Sequence, residues 1–340
     1  MAVTQAQIAQ MAGVSRGTVD RTLNNRGRVD PEVAERIRRI ANELGYRPNR
    51  AGSLLQRANR PVRLGVVIQS VETPFMALML EEINKALPHM RELGAEVIVR
   101  ANEFVDIDRQ LISLDELEKE GVDGIALTPV EDMRICDRID ELAKKMPVVT
   151  FNTDLPDSRR LCYVGQENYL SGRACAGLMN MLLGGKGKVL MIAGHPASQS
   201  HRRRIDGFRS EAISTYPGLS LLPLERSNDS RQKAYEIVKE VWARHPDLRG
   251  IFIAANGQVG VCDAMRELGL KGKVHMICYD LLPDTAEGLR EGLIDLLIDQ
   301  DAHAQGVRPL EILLENILTG ARPPEEYMLT RIDIRNQYNI

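Results

Sequence analysis

The chain has 340 residues, of which 44% are hydrophobic and 27% are charged, a globular composition that excludes a disordered or collagen-like protein. This length predicts two or three domains, and the formal net charge of −3 alone argues against a nucleic-acid-binding protein. The charge is unevenly divided, because residues 1–60 hold eleven Arg, no Lys and five acidic residues, a net +6, and the remainder carries −9. A basic segment on an acidic body indicates that the segment contacts a polyanion.

The cysteine pattern and the lengths of the apolar runs indicate the cellular compartment of the protein. Five cysteines without metal-site spacing predict reduced thiols and a cytoplasmic protein. The N-terminus lacks the apolar core of a signal peptide, and no run of about 18 apolar residues predicts a membrane span, so we expect no membrane partner. The histidines lack metal-ligand spacing, and no nucleophile motif accompanies them. We therefore expect no metal, no cofactor and no catalytic residue.

Three short helices are predicted in the basic segment. Thr4 to Gln7 fits a capping box, and Gly13 then supplies a tight turn. Ser15 caps a second helix that extends to Leu23, and Asp30-Pro31 begins a third. Two helices joined by a short glycine-containing turn and followed by a third have the plan of a helix-turn-helix domain, although a generic three-helix bundle has the same outline.

The motifs within these helices are more specific than the outline. The stretch from Val3 to Ser15, the run Thr18-Val19-Asp20-Arg21 and the run Gly45-Tyr-Arg-Pro-Asn-Arg50 closely resemble the N-terminus of the LacI family of bacterial transcription regulators. The resemblance implies that the second helix lies in the major groove of operator DNA. The residues that it places on DNA are Thr4, Ser15, Arg16, Gly17, Thr18, Asp20, Arg21, Asn24, Asn49, Arg50 and Leu55.

Within that set, Arg16 and Gly17 fall on the two positions that choose the operator in the family, and Arg21 falls on a base-reading position. Arginine can bind guanine through two hydrogen bonds. The family usually has Ser where this chain has Asp20. A carboxylate there can accept from cytosine or orient Arg21, so this departure changes the expected operator sequence rather than DNA binding itself.

A fourth, short helix is predicted over 49–57, with Asn49 as its cap. It is too short to be stable alone in water and resembles the hinge helix of the LacI family, which orders on operator DNA. Leu55 matches the leucine that enters the minor groove and kinks the duplex. A plain linker that happens to contain Leu54 and Leu55 is the alternative.

From Arg63 onward, strand-like and helix-like segments alternate. Continuous apolar strands between amphipathic helices predict an α/β body with parallel sheets, and two lobes are more plausible than one sheet for about 280 residues. The predicted strands are Leu64–Ile68, Val97–Val99, Gly124–Leu127, Val148–Phe151, Val189–Ile192, Gly250–Ala254, Val274–Cys278 and Asp295–Ile298. The predicted helices include Phe75–Met90, Leu111–Glu120, Arg134–Lys144, Ser171–Leu183, Tyr235–His245 and Val259–Leu268.

Polar residues follow many of these strands, where ligands bind in open parallel sheets. A ring of amides and carboxylates suits the neutral hydroxyls of a sugar or polyol, although any one strand-end Asn or Asp can be only a turn or a helix cap. The body resembles the periplasmic sugar-binding-protein fold, especially its ribose-type group, which supports the placement. The candidate effector-binding residues are Phe75, Asn152, Asp154, Arg204, Asn256, Asp280 and Gln300. Sugar binders often carry Asp-Arg where this chain has Asn152-Thr153.

The predicted organisation is therefore a DNA-binding domain over 1–48, a hinge helix and linker over 49–61, and an effector domain over 62–340. We expect the first lobe to comprise about 62–166 and 301–326, and the second lobe about 167–300 and 327–340. A dimer is expected, with Met76, Met79, Leu80 and Ile83 facing the partner beside a helix over 309–318. Packing of that stripe within its own lobe is the alternative.

These expectations together describe a transcription regulator, more commonly a repressor in the family, whose affinity for a pseudo-palindromic operator is controlled by a sugar or polyol between the lobes. Two alternatives are an extracytoplasmic solute-binding receptor and a sugar-modifying enzyme. The absence of a signal peptide, the basic segment and the absence of a nucleophile motif argue against them.

Overall fold

The computed structural model describes residues 5–23, 29–44, 61–196 and 198–340. The described part of the N-terminal segment contains three helices, α1 (Gln5–Ala12), α2 (Arg16–Leu23) and α3 (Pro31–Glu43). They pack around a small apolar core in which Ile8, Val19 and Ile37 are fully buried. The predicted caps at Ser15 and Asp30 are present, because Ser15 Oγ accepts from the backbone N–H of Thr18 at 3.1 Å and the Asp30 carboxylate accepts from the N–H groups of Glu32 and Val33.

Several N-terminal predictions lie outside the described residues. The hinge helix predicted over 49–57 is among them, and so are the individual DNA-contact positions Thr4, Asn24, Asn49, Arg50 and Leu55.

The first lobe of the body contains a six-stranded sheet with the order β12-β5-β4-β3-β1-β2, in which all pairs are parallel. Its strands are β1 (Val62–Ile68), β2 (Ala95–Ala101), β3 (Gly124–Leu127), β4 (Val148–Phe151), β5 (Cys162–Gly165) and β12 (Tyr327–Leu329). Its helices are α4 (Pro74–Glu92), α5 (Ile107–Lys119), α6 (Met133–Ala143) and α12 (Ala302–Thr319).

The second lobe has a sheet with the order β13-β11-β10-β9-β6-β7, and β8 also pairs with β6. The strands are β6 (Gly187–Ala193), β7 (Leu219–Leu221), β8 (Glu225–Arg226), β9 (Leu248–Ile253), β10 (His275–Tyr279), β11 (Leu296–Asp299) and β13 (Asp333–Arg335). Only β13 runs antiparallel among these described strands. The helices are α7 (Asn168–Leu182), α8 (Gln199–Thr215), α9 (Arg231–Arg244), α10 (Gln258–Glu267) and α11 (Pro283–Glu291).

Each sheet is buried on both faces, which explains why its central strands read as continuous apolar runs. In β1, Leu64 and Val66 pack towards α4 and α12, and Val67 packs towards α5 and α6. The second sheet is covered by α7 and α8 on one face and by α9, α10 and α11 on the other. The predicted α/β class with two lobes and parallel sheets is therefore confirmed.

Three segments cross between the lobes: β5 to α7, β11 to α12, and β12 to β13. The predicted lobe boundary near residue 327 differs from the structure, because Tyr327–Leu329 pairs in parallel with β5 in the first sheet. The third crossover consequently lies at 330–332, and only the strand after it belongs to the second lobe. A three-residue strand with polar neighbours carries too weak a pattern for its sheet to be read from the sequence.

The apolar stripe predicted as a dimer face lies inside the lobe. Met76, Met79 and Ile83 are buried against α12 and the first sheet, and Leu80 packs against the same core. These four residues therefore serve intramolecular packing, and they give no evidence about a partner subunit. Among the helices of the described residues, none is both long and apolar enough to cross a membrane.

Candidate functional site

A cleft lies between the lobes at the carboxyl ends of their strands, as expected for open parallel sheets. It encloses about 790 Å³, including space open to solvent. Of the seven predicted effector residues, the cleft lining includes six, all except Asp154: Phe75, Asn152, Arg204, Asn256, Asp280 and Gln300.

Arg204 is the central cation of the cleft, and only 2% of its surface is exposed. Its Nε donates to Asn168 Oδ1 at 2.9 Å, one Nη donates to the carbonyl of Ala254 at 3.3 Å, and the other donates to Gln300 Oε1. All three acceptors are uncharged. The guanidinium also lies 3.9 Å from the centroid of the Tyr279 ring, a cation–π contact strengthened by burial.

Two glycines allow α8, which carries Arg204, to approach α7 closely. A Cβ atom at Gly172 in α7 would lie 2.0 Å from the carbonyl oxygen of Arg204, and one at Gly207 in α8 would lie 2.0 Å from that of Tyr169. No side chain larger than hydrogen fits at either position without separating the helices. The close helix crossing therefore sets the depth at which Arg204 enters the cleft.

The carboxylate of Asp280 balances the charge of Arg204, and the side-chain amide of Gln300 lies between the two groups. Gln300 accepts from Arg204 through Oε1 and donates to Asp280 Oδ1 through Nε2. Burial raises the pKa of the Asp280 carboxyl to about 6, against the opposing effect of the Arg204 charge and the Gln300 hydrogen bond. The Arg204–Gln300–Asp280 array thus offers a donor and an acceptor side by side, the pattern that a vicinal pair of hydroxyls can satisfy.

Asp229 is a cleft residue that the sequence prediction missed. Its carboxylate accepts from the backbone N–H of His195 at 2.9 Å and from that of Asn256 at 3.0 Å. These two bonds tie together the loops that follow β6, β8 and β9. Asp229 follows a two-residue strand, a pattern too short to recognise from the sequence, so nothing marked it as a strand-end position.

The two walls of the cleft differ in polarity. The apolar side chains of the lining, such as Phe75, Met76 and Val130, come from the first lobe, which also contributes polar ones such as Gln69 and Thr128. The second lobe contributes polar groups from the start of α8, namely Ser198, Ser200, His195 and His201 beside Arg204. Burial lowers the pKa of His201 to about 4, assisted by repulsion from Arg204, so its imidazole is neutral at neutral pH. A ligand with one apolar face and several hydroxyls fits these walls.

Unsatisfied buried polar atoms concentrate in the cleft. Seven buried side-chain nitrogen or oxygen atoms of the described residues have no hydrogen-bond partner, and three of them belong to cleft residues: Gln69 Oε1, His201 Nδ1 and Asn256 Oδ1. Since buried polar groups in folded proteins are normally paired, these atoms are candidates for ligand contacts. Gln69 directly follows the first strand, although it is not among the seven predicted effector residues.

Four cleft residues have left-handed backbone. Ser70, Asn152, Asp229 and Asp280 have φ values of 57°, 63°, 62° and 73°. Non-glycine residues in this region are uncommon, and they cluster at functional sites where the surrounding structure holds them. Each sharply turns the chain at or near a strand end.

Asp154 was predicted as an effector-binding residue, but it does not line the cleft. It is buried, accepts from Thr150 Oγ1 at 2.7 Å, and binds the Arg160 guanidinium through both carboxylate oxygens. Arg160 in turn binds Glu326 at 2.8 Å, next to the edge strand β12. Asp154 therefore stabilises the first lobe through a buried ion pair.

On the N-terminal domain, one face of α2 is exposed. Arg16, Gly17 and Arg21 are exposed, whereas Val19 and Thr22 are buried. Arg21 Nε donates to the carbonyl of Gly17 at 3.2 Å, so its side chain lies along its own helix. The exposed residues Ser15, Arg16, Gly17 and Arg21, with the half-buried Thr18 and Asp20, are the described part of the predicted DNA-contact set.

Within the part of the chain that the structure describes, no group of three or more His, Cys, Asp or Glu side chains could hold a metal ion. At the rim of the cleft, Glu131 of the first lobe binds Arg202 of the second and accepts from Gln199 Nε2 at 3.4 Å. These contacts join the lobes across the opening.

A cleft between two parallel-sheet lobes, lined by hydrogen-bonding side chains, defines a ligand-binding protein of the two-lobed class, here preceded by a helix-turn-helix. Residues 64–321 match the periplasmic binding protein domain family, and the chain belongs to that family. Residues 5–49 match the bacterial regulatory proteins of the lacI family. Both resemblances predicted from the sequence are confirmed, and together they give the domain composition of a DNA-binding transcription regulator.

Individual relatives agree with both parts. The chain is 27% identical to the xylose/arabinose-binding protein XylF of Sulfolobus acidocaldarius over 226 residues, which cover 61% of this chain but 55% of that protein. It is 26% identical to the HTH-type transcriptional regulator CelR of Thermobifida fusca, over 82% of each chain. A solute-binding protein of Burkholderia graminis C4D1M, solved with D-arabinose, superposes with a TM-score of 0.75 at 25% identity over 82% of this chain and 96% of that one.

The buried ion pair predicts a large loss of stability in Asp154→Ala. This variant leaves the Arg160 guanidinium buried with one carboxylate fewer, which costs about 3–5 kcal/mol. The control is Glu311→Ala, which breaks the exposed pair with Arg308 and costs at most about 1 kcal/mol. Urea unfolding followed by circular dichroism measures both, and equal losses would contradict the structural role of Asp154.

The raised pKa of Asp280 predicts a specific pH dependence of stability. Its folded value of about 6 exceeds the ordinary 3.8, so the folded chain binds this proton more tightly, and the stability that the group contributes falls as pH rises from about 4 to 6. Asp280→Asn removes this dependence. The unfolding free energy of the variant therefore rises relative to that of the wild type as pH rises, by about 3 kcal/mol in total.

The measurement compares urea unfolding at pH 4, 5, 6 and 7, which spans the interval between the two pKa values. Asp284→Asn, which changes an exposed carboxyl at the start of α11, is the matched control and should leave the pH profile parallel to that of the wild type. A parallel profile in Asp280→Asn as well would contradict the raised pKa.

Proposed function

We propose that this protein is a cytoplasmic, dimeric repressor whose affinity for operator DNA is set by a small sugar or polyol bound between its lobes. In this proposal residues 1–48 bind DNA, residues 49–61 form the hinge, and residues 62–340 bind the effector. The observation that carries the proposal is the presence of the Arg204–Gln300–Asp280 array in a cleft of a chain that begins with a helix-turn-helix.

The chemistry of the cleft supports a neutral, hydroxyl-rich effector. Its central cation is held by uncharged acceptors and is balanced by Asp280, so the array gains little from an added ionic charge. Asn256 and Gln69 each present a side-chain oxygen without a donor among the described residues, and a hydroxyl can supply that donor. The proposed effector contacts are Asn152, Arg204, Asn256, Asp280 and Gln300, with Phe75 packing on the apolar face of the sugar.

Pentoses are the first candidates. One similar protein is named a xylose/arabinose-binding protein, and the structure of another was solved in complex with D-arabinose. The replacement of the Asp-Arg pair of many sugar binders by Asn152-Thr153 favours an effector with fewer polar contacts at that side of the ring. Repression and dimerisation are proposed from the family plan, in which two half-sites of a pseudo-palindrome face two protomers.

The alternatives explain less of the chain. A solute-binding receptor has no use for a helix-turn-helix with an exposed arginine-bearing face, and a sugar-modifying enzyme requires reacting groups in addition to binding groups. We propose that the protein binds its effector without altering it.

A two-stage experiment tests the proposal. Thermal-shift assays against pentoses, hexoses, inositols and their phosphates identify the effector, and fluorescence anisotropy then measures the affinity for DNA selected from a random pool, with and without that compound. The proposal expects one compound class to raise the melting temperature and to change DNA affinity at least several-fold. It fails if no compound in the panel does both.

The unpaired oxygen of Asn256 predicts a variant that binds sugar poorly and folds normally. Asn256→Ala removes an acceptor that no described group uses. The melting temperature of the variant without sugar is therefore expected to stay within about 1 °C of the wild-type value, and its sugar affinity to fall about tenfold. Asn180→Ala, at a half-buried position of α7 that is not part of the cleft lining, is the control. Calorimetric titration measures affinity, and unchanged binding in Asn256→Ala would remove this residue from the site.

The exposed face of α2 predicts a loss of sequence discrimination in Arg21→Ala. Loss of a base-reading arginine reduces the preference for selected over random DNA by about 1–3 kcal/mol. Arg39→Ala removes an equally exposed charge from α3 and is expected to weaken both affinities by the same factor. Anisotropy titrations against both DNAs give the two ratios, and equal behaviour of the two variants would contradict base reading by Arg21.

A further inference from the structure

The three segments that cross between the lobes are joined to one another by side-chain hydrogen bonds. Gln166, in the first crossover, is only 2% exposed. Its Nε2 donates to the carbonyl of Asp299 at 3.2 Å, where the second crossover begins, and to the carbonyl of Arg331 at 3.1 Å, within the third. One amide group therefore bonds to both of the other crossovers.

Further bonds surround this amide. The backbone N–H of Thr330 donates to the carbonyl of Gly165 at 2.9 Å, and Thr330 Oγ1 donates to the carbonyl of Gln300 at 3.4 Å. Gln305 Nε2 donates to the same carbonyl at 2.7 Å. We call Gln166, Gln300, Gln305 and Thr330 the crossover cluster. It holds all three connections in one buried network, and any rotation of one lobe against the other must change its geometry.

The crossover cluster also touches both walls of the cleft. Gln305 Oε1 accepts from Asn152 Nδ2 at 3.2 Å on the side of the first lobe. The side chain of Gln300 bonds to Arg204 and Asp280 on the side of the second lobe. A ligand held by these cleft residues would therefore act on groups that are one hydrogen bond away from the crossovers.

From this arrangement we infer that Gln166 is the positioning residue that sets the distribution of angles between the lobes. Its two donated bonds are made in the lobe arrangement described here, and a rotation that separates the crossovers breaks at least one of them. Its Oε1 is buried without a partner among the described residues, so the amide is held through its donors. The transmission of this effect to DNA rests on the proposed function.

The test replaces the donors without changing the size of the side chain. Gln166→Met keeps a long unbranched side chain and loses both bonds. Gln110→Met is the matched control, because Gln110 is also a fully buried glutamine but bonds only within the first lobe, to Thr128 and Val130. Both variants lose two hydrogen bonds of one buried amide, and only Gln166→Met affects a contact between crossovers.

The angle between the lobes is measured in the full chain by double electron–electron resonance. Spin labels are attached at Met133→Cys in the first lobe and Arg209→Cys in the second, both exposed positions, in a Cys136→Ser background because the other four cysteines are buried. In the absence of sugar, Gln166→Met is expected to broaden the distance distribution about twofold, and Gln110→Met is expected to leave it at the wild-type width. Lower stability alone would affect both variants.

Thr330→Val provides a second variant in case Gln166→Met does not fold. It removes the hydroxyl bond to Gln300 and is expected to broaden the distribution in the same direction but to a smaller extent. Wild-type width in Gln166→Met, or in Thr330→Val if Gln166→Met does not fold, overturns the inference. Equal broadening in Gln110→Met overturns it as well.

A second arm adds D-arabinose or D-xylose and measures both the label distance and the affinity for selected DNA. The factor by which sugar changes DNA affinity is expected to fall towards one in Gln166→Met and to persist in Gln110→Met. If neither sugar changes the wild-type chain, the choice of effector is wrong, and the sugar-free comparison still decides the role of Gln166.

Discussion

The site depends on the burial of one positive charge. Removing the guanidinium of Arg204 from water is costly unless its donors are satisfied and its charge is balanced. The fold pairs three of its five N–H donors with uncharged acceptors and places an aromatic ring against the guanidinium. Asp280, which is hydrogen-bonded to the same Gln300 side chain, balances the charge. The close approach of α7 and α8 at Gly172 and Gly207 places this charge in the cleft. The burial that Asp280 shares with it raises the pKa of that carboxyl, although the charge of Arg204 acts in the opposite direction.

Much of the fold could be predicted because parallel strands that are buried on both faces appear in the sequence as continuous apolar runs. The strands Gly124–Leu127 and Val148–Phe151 were predicted with their observed bounds. The short strands β8, β12 and β13 were missed because two or three residues are too few to show a continuous apolar run. The polar helix α8 is not among the helices named from the sequence, since much of its surface is exposed or faces the cleft.

The candidate site was predictable to the extent that it follows strands in the chain. Six of seven effector candidates line the cleft. Asn152, Asn256, Asp280 and Gln300 follow buried strands, whose carboxyl ends form the cleft. Phe75 and Arg204 lie in helices, and they were placed by the resemblance to sugar-binding proteins. Asp154 shows the limit of this reasoning, since a partner six residues away, Arg160, takes both of its oxygens. Gln166 shows another limit. Its importance comes from three segments that are distant in sequence, and no local pattern records that they meet.

The left-handed backbone at Asn152, Asp229 and Asp280 limits how this cleft can diversify. Asparagine, aspartate and glycine adopt that conformation at low cost, whereas branched and bulky residues do not. Evolution of a new specificity at these positions is thus largely confined to exchanging an amide for a carboxylate, or to deleting the side chain. Such exchanges alter hydrogen-bond polarity without altering the shape of the walls. Changes in the size of the accepted molecule must come from other residues, such as Phe75, Met76 and Val105.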